Sequence, residues 1–178
     1  AAWLSAAEPA PAPLCDPAET GRILGELSGI SGLKTRRPVA CETISRDKVA
    51  AFLRQRIRET ATPEEIRAEE LTLKNLGLVP PDFDLAANTV DLLTEQAAAF
   101  YDFTRKRLYL SDAAPSATHH PALVHELAHA LADQSFNLER FIKRGRKNDD
   151  GALARLAVME GHATWLMSEY MARQTGRS

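Results

Sequence analysis

The chain has 178 residues and a formal net charge of −2, from 22 basic and 24 acidic side chains. This length is sufficient for one domain that buries a hydrophobic core. The charges are interspersed and no basic stripe carries interleaved aromatic residues, so we expect no nucleic-acid partner. The apolar stretches are too short for a membrane-spanning helix, and we expect no membrane segment.

The chain opens with a segment rich in alanine and proline, AAWLSAAEPAPAPL. It lacks the charged start and the continuous apolar centre of an intact signal peptide. We interpret residues 1–15 as a flexible leader of the kind that remains after export to a bacterial periplasm or to the medium. Cys15 and Cys41 match no metal spacing, so they are either buried thiols or one disulfide that fixes the N-terminal segment.

Residues 16–98 predict a lobe that is mostly helical. Asp16 suits an N-cap and Pro17 the first turn of a helix. The predicted elements in chain order are a helix over 16–30, a strand over 38–44, a helix from Ser45, a helix from Thr62 to about Gly77 and a helix over 82–98. We find no pattern of catalytic residues in this lobe.

Residues 99–178 predict an α+β unit that holds the chemistry. Phe100 and Tyr101 precede a polar turn, and Arg107–Ser111 resumes with residues that favour strands, which indicates a hairpin. Two long helices over about 117–137 and about 149–172 follow, joined by a basic connector over 142–148. We therefore expect a mainly helical fold in which a small sheet packs on the first long helix.

The first long helix contains the motif H-E-x-x-H at residues 125–129. Two residues four apart on a helix lie on one face, about 6 Å apart along the axis, so His125 and His129 can hold one ion. Glu126 is turned about 100° from His125, which suits a general base better than a ligand. Zinc lowers the pKa of its bound water to about 7, and a carboxylate can pass that proton to a leaving amine. The motif predicts a zinc peptidase.

A catalytic zinc site needs a third protein ligand, and Glu160 is our candidate. It falls in a stripe at helical spacing on the last helix, and an ionised carboxylate buried there needs a cation or a hydrogen-bond network. Other candidate third ligands are Asp149, Asp150 and Glu139. The stripe consists of Leu153, Leu156, Ala157, Glu160, Thr164, Met167 and Met171.

The motif at 125–129, followed by Glu160 on a second helix, resembles the gluzincin family, which includes the thermolysin-like peptidases. The segments HELAHALADQ and EGHAT are similar to those of minimal bacterial gluzincin domains. The resemblance covers residues 99–171, and residues 1–98 resemble no family known to us. It implies a zincin-like fold, and a substrate peptide that pairs with an edge strand at Leu108, Tyr109 and Leu110.

The sequence departs from the thermolysin-like pattern at two points. Thr164 stands where that pattern has an aspartate that supports a ligand histidine, so Asp133, Asp149, Asp150 and Thr164 itself are the candidates for that support. The lobe that supplies donors for the transition state in larger relatives has no counterpart after Glu160, which leaves His162 and Tyr170 as candidate donors.

Two other interpretations remain open. The domain can be a zinc-stabilised module that binds a partner without catalysis, or a peptidase-like domain that is inactive or autoinhibited. The expected partner under the enzymatic interpretation is a peptide or protein substrate. The sequence decides neither the cleavage specificity nor the oligomeric state.

Overall fold

The computed structural model describes residues 15–145 and 148–176, so the predicted leader lies outside the described residues except for Cys15. Within these ranges the protein is mainly helical, with seven helices and one small mixed sheet. The elements are α1 (Pro17–Ser31), β1 (Ala40–Ile44), α2 (Arg46–Thr60), α3 (Pro63–Asn75), α4 (Leu85–Gln96), β2 (Ala99–Asp102), β3 (Arg107–Ser111), α5 (Ser116–Phe136), α6 (Leu138–Lys143) and α7 (Asp149–Gln174).

Local capping chemistry sets several helix ends. The Asp16 side chain accepts a hydrogen bond from the Ala18 N–H at the start of α1, and Thr62 and Glu65 form a reciprocal capping box on α3. Asn137 adopts a left-handed conformation, with a φ of 52°, which ends α5 and begins α6. The predicted helices are confirmed, whereas α6, which lies between the predicted end of α5 and the connector and overlaps its first two residues, was not expected.

The sheet has the strand order β1-β3-β2. β2 and β3 form the expected antiparallel hairpin, and β1 adds to the other side of β3 in parallel. The prediction of an edge strand at Leu108, Tyr109 and Leu110 is therefore wrong, because these residues lie in the central strand and are paired on both sides. β2 packs on α5, so its free edge is the sheet edge nearest to the H-E-x-x-H motif.

The main core is built around α5, which packs on α1, α7 and the sheet. The sequence predicted two separate segments, residues 16–98 and 99–178, but both contribute side chains to this core. α1 and β1 of the first segment share it with α5 and α7 of the second. The largest of its fully buried side chains are Ile23, Leu27, Leu108, Leu110, Leu127, Leu131, Leu166 and Tyr170.

Helices α2, α3 and α4 form a separate layer, in which α2 and α4 make the most contacts. Val49 and Val90 are buried in this layer. Phe52 stacks on Phe100 with ring centroids 4.5 Å apart, and Phe100 stacks on Tyr109 at 5.0 Å, which joins the layer to the sheet. None of the helices in the described ranges combines the length and apolarity needed to cross a bilayer.

Candidate metal centre

Helices α5 and α7 bring three potential ligand atoms together. The Nε2 atoms of His125 and His129 lie 3.1 Å apart, and Oε2 of Glu160 lies 3.1 Å from the first and 3.4 Å from the second. The two histidines stand one turn apart on α5, and α7 supplies the carboxylate from the facing helix. Among the described residues, these three form the group whose donor atoms converge as metal ligands do.

The spacing of these atoms fits a tetrahedral metal site. Ligand atoms about 2.0–2.2 Å from a tetrahedral ion are roughly 3.3–3.5 Å from one another. The observed separations of 3.1–3.4 Å are close to this range. Two imidazole nitrogens and a carboxylate oxygen also carry lone pairs that repel one another unless protons or a cation lie between them. The donor set therefore suits a divalent cation with one coordination position left open.

The three candidate ligands differ in how far their side chains are exposed to solvent. The His129 side chain is 5% exposed and that of His125 is 20% exposed, whereas that of Glu160 is 45% exposed. The two imidazoles are thus largely shielded from water, whereas the Glu160 side chain is partly exposed to it.

The three ligand residues also perturb one another electrostatically. The hydrogen bonds with His125 and then His129 lower the pKa of Glu160 to about 2. The hydrogen bond with Glu160 raises the pKa of His125, although burial opposes that change. The group therefore favours an ionised carboxylate beside cationic charge, which is the charge distribution that a divalent ion would stabilise.

Glu126 lies beside the ligands without joining them. Its Oε2 accepts a hydrogen bond of 2.8 Å from the backbone N–H of Tyr101, on the free side of β2. Burial raises the pKa of Glu126, while the charges of His129 and His125 act in the opposite direction. A carboxylate with a raised pKa near a ligand cluster is a candidate for proton transfer.

Glu160 reaches the centre from the border of the buried face of α7, not from its middle. The predicted stripe is wrong, because Leu153 and Leu156 are 66% and 48% exposed and Ala157 and Thr164 are exposed as well. The face that enters the core consists instead of Met159, Ala163, Leu166 and Tyr170. Glu160 is half-buried because only its carboxylate turns inward toward the histidines.

The residues expected to support the ligand histidines lie elsewhere. Asp133 is buried but accepts hydrogen bonds from the Tyr101 hydroxyl, Lys106 Nζ and the Leu138 N–H. Asp149 and Asp150 are exposed in the first turn of α7, about 15 Å along the axis from Glu160.

Thr164 is exposed, and Glu139 pairs with Lys143 at 2.7 Å. The predictions that placed Thr164, Glu139, Asp149 and Asp150 at the metal site are therefore wrong. Nδ1 of His129 is buried and has no hydrogen-bond partner among the described residues.

The two candidate transition-state donors differ in position. His162 is half-buried two residues after Glu160, its ring lies 6.3 Å from that of Trp165, and its pKa is lowered by burial and then by the charge of His129. Tyr170 is buried ten residues after Glu160, about 15 Å along α7, and its hydroxyl lies 3.4 Å from an Arg22 nitrogen. Tyr170 is therefore corrected to a core residue, and His162 stays a candidate.

Three residues of the hairpin contribute to the centre without having been predicted to do so. Tyr101 holds Glu126 through its backbone and Asp133 through its hydroxyl. The Phe103 ring stands edge-on to His129 with centroids 6.2 Å apart, and Lys106 pairs with Asp133. The alternation of the strand indicates which side chains share a face, but it cannot show contacts with residues 25 or more positions away.

No protein family, curated protein or solved structure matches this chain.

Proposed function

We propose that this protein is a zinc-dependent peptidase with a zincin-like, gluzincin-type catalytic centre. The observation that carries the proposal is the convergence of His125, His129 and Glu160 within 3.4 Å of one another, with the Glu126 carboxylate beside them. Two imidazoles and one carboxylate with an open fourth position are the donor set of hydrolytic zinc sites.

Glu126 performs the proton transfers in the proposed reaction. His125, His129 and Glu160 would hold a zinc ion, which would supply a bound water with a pKa of about 7 and a Lewis acid for the substrate carbonyl. Glu126 takes a proton from the attacking water, a C–O bond forms at the scissile carbonyl, and the C–N bond breaks. The same carboxyl group then delivers the proton to the departing amine, so that the products are a carboxylic acid and an amine.

The free edge of β2 offers a place for an extended peptide substrate. In an antiparallel pair, alternate residues direct their backbone groups away from the partner strand. Tyr101 does so, because its N–H donates to Glu126, and Ala99 presents its backbone to the same side. A peptide that adds to this edge lies along α5 beside the ligand atoms, which replaces the substrate position first expected at β3.

A zinc-stabilised binding module is the second candidate. It is favoured by the position of Tyr170, which leaves His162 as the candidate donor to a tetrahedral oxyanion, and by the lack of a described partner for Nδ1 of His129. Both candidates require the metal, but only the peptidase requires Glu126.

The Glu126→Gln variant separates the two candidates. We expect hydrolysis of a denatured protein substrate to fall by roughly 10²–10⁴-fold, because the amide cannot accept the proton, while zinc measured by elemental analysis stays at the wild-type level. Glu69→Gln, an exposed position on α3, is the matched control and should change neither quantity.

The metal itself is tested by His129→Ala. We expect this variant to lose both bound zinc and hydrolysis, since two ligands rarely retain the ion. Full hydrolysis by Glu126→Gln would refute the peptidase mechanism. Zinc in the wild type without any hydrolysis would favour the binding module, and unchanged zinc content in His129→Ala would refute the site itself.

A further inference from the structure

A second site lies away from the metal centre, in a cavity of about 520 Å³ at the C-terminal end of α5. Its walls come from the loop before β1, the turn between β2 and β3, and helix α6. None of the three metal ligands lines it. Five basic side chains do, and they are Arg36, Arg37, Lys106, Arg140 and Arg144.

The positive charge of this cavity is largely uncompensated. Its one acidic residue, Asp133, is fully buried and already bonded to Lys106 and to the Tyr101 hydroxyl. Within residues 15–145 and 148–176, none of the four arginines forms an ion pair with a carboxylate. The whole chain carries a net charge of −2, so this local excess does not follow from the composition.

Hydrogen bonds join the backbone of the loop that carries Arg36 and Arg37 to α5. Oε1 of Gln134 accepts from the backbone N–H groups of Arg36 and Arg37 at 2.7 and 3.1 Å, and its Nε2 donates to the Arg37 carbonyl at 3.0 Å. The Gln134 side chain of α5 thus fixes the loop that carries Arg36 and Arg37. All four arginines are exposed, and their like charges repel one another across the cavity, so a bound anion would lower this repulsion.

The cavity also has an aromatic wall. Phe136 and Phe141 line it, and the Phe136 side chain is exposed although it is large and apolar. Arg155 lies over the Phe141 ring at 4.8 Å from the centroid, which orients that ring. The volume is in the range of small-molecule sites and exceeds what one simple anion fills.

We propose that this cavity binds a ligand that carries two or more phosphate groups. A phosphate group brings a charge of about −1.5 to −2 and three acceptor oxygens, so two groups match the charge of four guanidinium groups that have no carboxylate partner within the described residues, whereas a single carboxylate neutralises only one. Guanidinium also binds phosphate in a bidentate manner. An inorganic polyphosphate and an organic diphosphate share this chemistry, and the second would place its body against the phenylalanines.

Calorimetric titration tests the proposal with pyrophosphate and ADP as probes, and with adenosine as the uncharged comparison. We expect saturable binding of both phosphates at one site and none of adenosine. Arg140→Ala/Arg144→Ala should weaken both phosphates at least 10-fold. Arg54→Ala/Arg58→Ala removes the same charge from exposed positions on α2 and should weaken them less than 2-fold. Tighter binding of ADP than of pyrophosphate would assign the aromatic wall to an organic body.

Three outcomes would overturn the proposal. The first is equal weakening by the two double variants, which means general charge attraction. The second is loss of pyrophosphate binding in His129→Ala, which means that the phosphate sits on the metal. The third is stronger binding of a glutamate-rich peptide than of pyrophosphate. Retained binding in His129→Ala would support this site whether or not the protein proves to be a peptidase.

Discussion

At the scale of single residues, the Asp133 carboxylate joins β2, the hairpin turn and α6 to α5. It accepts hydrogen bonds from the Tyr101 hydroxyl on β2, from Lys106 in the hairpin turn and from the Leu138 N–H at the start of α6. Its side chain is fully buried, whereas that of Lys106 is 30% exposed. Burial and the charge of Asp133 together raise the pKa of Tyr101. Asp133 therefore positions the hairpin and not, as expected, a ligand histidine.

Asp133→Asn should lower the free energy of unfolding by about 2 kcal/mol, since the neutral amide leaves Lys106 without its charge partner in a partly buried place. Chemical denaturation measures this change, with Asp91→Asn on the exposed side of α4 as the matched control. Bound zinc should stay at the wild-type level. A loss of zinc without a loss of stability would instead support the original assignment of Asp133 to the metal.

The sequence predicted that the candidate ligands converge, but the helical stripe from which one of them was chosen is wrong. The one-turn spacing places His125 and His129 on one face wherever a helix forms, and the structure has that helix. Glu160 was selected from a stripe whose leucines are exposed, yet its carboxylate lies beside the two histidines, so the expected convergence came from an incorrect face. Helical periodicity reports the direction of a side chain only when the apolar residues are buried, and Leu153 and Leu156 are not.

At the scale of elements, Glu70 ties α3 to the start of α4. Its carboxylate accepts from Lys74 Nζ at 2.7 Å and from the Leu85 N–H at 2.9 Å. The hydrogen bond from Lys74 and then that from Leu85 lower the pKa of Glu70 below its ordinary value of 4.5. A lowered pKa in the folded state means that this contribution to stability is complete above pH 4.5 and is lost as the pH falls below it.

We therefore expect the difference in unfolding free energy between wild type and Glu70→Gln to be constant at neutral pH and to shrink as the pH falls below about 4.5. Urea denaturation at a series of pH values measures it, and a carbon NMR titration of the carboxyl group reports the lowered pKa directly. A difference that stays the same down to pH 3 would show that the charge of Glu70 does not stabilise the junction.

The sequence predicted most of the helices and strands but not how all of the strands pair. The caps and the apolar spacing predicted α1 to α5 and α7 to within a few residues, because these signals lie within a few positions of one another. The sequence did not show α6, whose six residues give almost two turns, or the parallel pairing of β1 with β3. Parallel partners lie far apart in the chain, so nothing local to β3 shows that it is central.

At the scale of the whole molecule, Cys15 and Cys41 form a disulfide that joins the segment just before α1 to β1, which decides between the two states left open by the sequence. The cross-link spans 26 positions, and both cysteines pack against the main core. Such a link lowers the entropy of the unfolded chain. It thereby fixes the start of α1 to the sheet that packs on α5.

The double variant Cys15→Ser/Cys41→Ser should lose roughly 3 kcal/mol of unfolding free energy relative to the oxidised wild type, from the chain entropy of a loop of this length. Chemical denaturation with and without a reductant measures the loss. The reductant should bring the wild type to the level of the variant and leave the variant unchanged. Equal stability of oxidised wild type and variant would show that the link does not constrain the unfolded chain.

The coarse class, a mainly helical α+β fold, followed from the sequence and agrees with the structure. The basic cavity did not follow, because its arginines come from two segments about a hundred positions apart, and neither segment forms a basic stripe by itself. Its charge arises only when Gln134 holds the loop before β1 against the end of α5. Surfaces of this kind depend on tertiary packing and have no local signature in the chain.

The hydrogen bond from the Tyr101 N–H to Glu126 has one further consequence. If an extended peptide bound along the free side of β2, as proposed, its carbonyl oxygen would compete with the Glu126 carboxylate for that same N–H, because one donor cannot serve two strong acceptors equally. Binding of the peptide would then release the carboxylate toward the neighbouring imidazoles. Under the proposed function, a ligand too short to reach Tyr101 would leave Glu126 hydrogen-bonded to the strand.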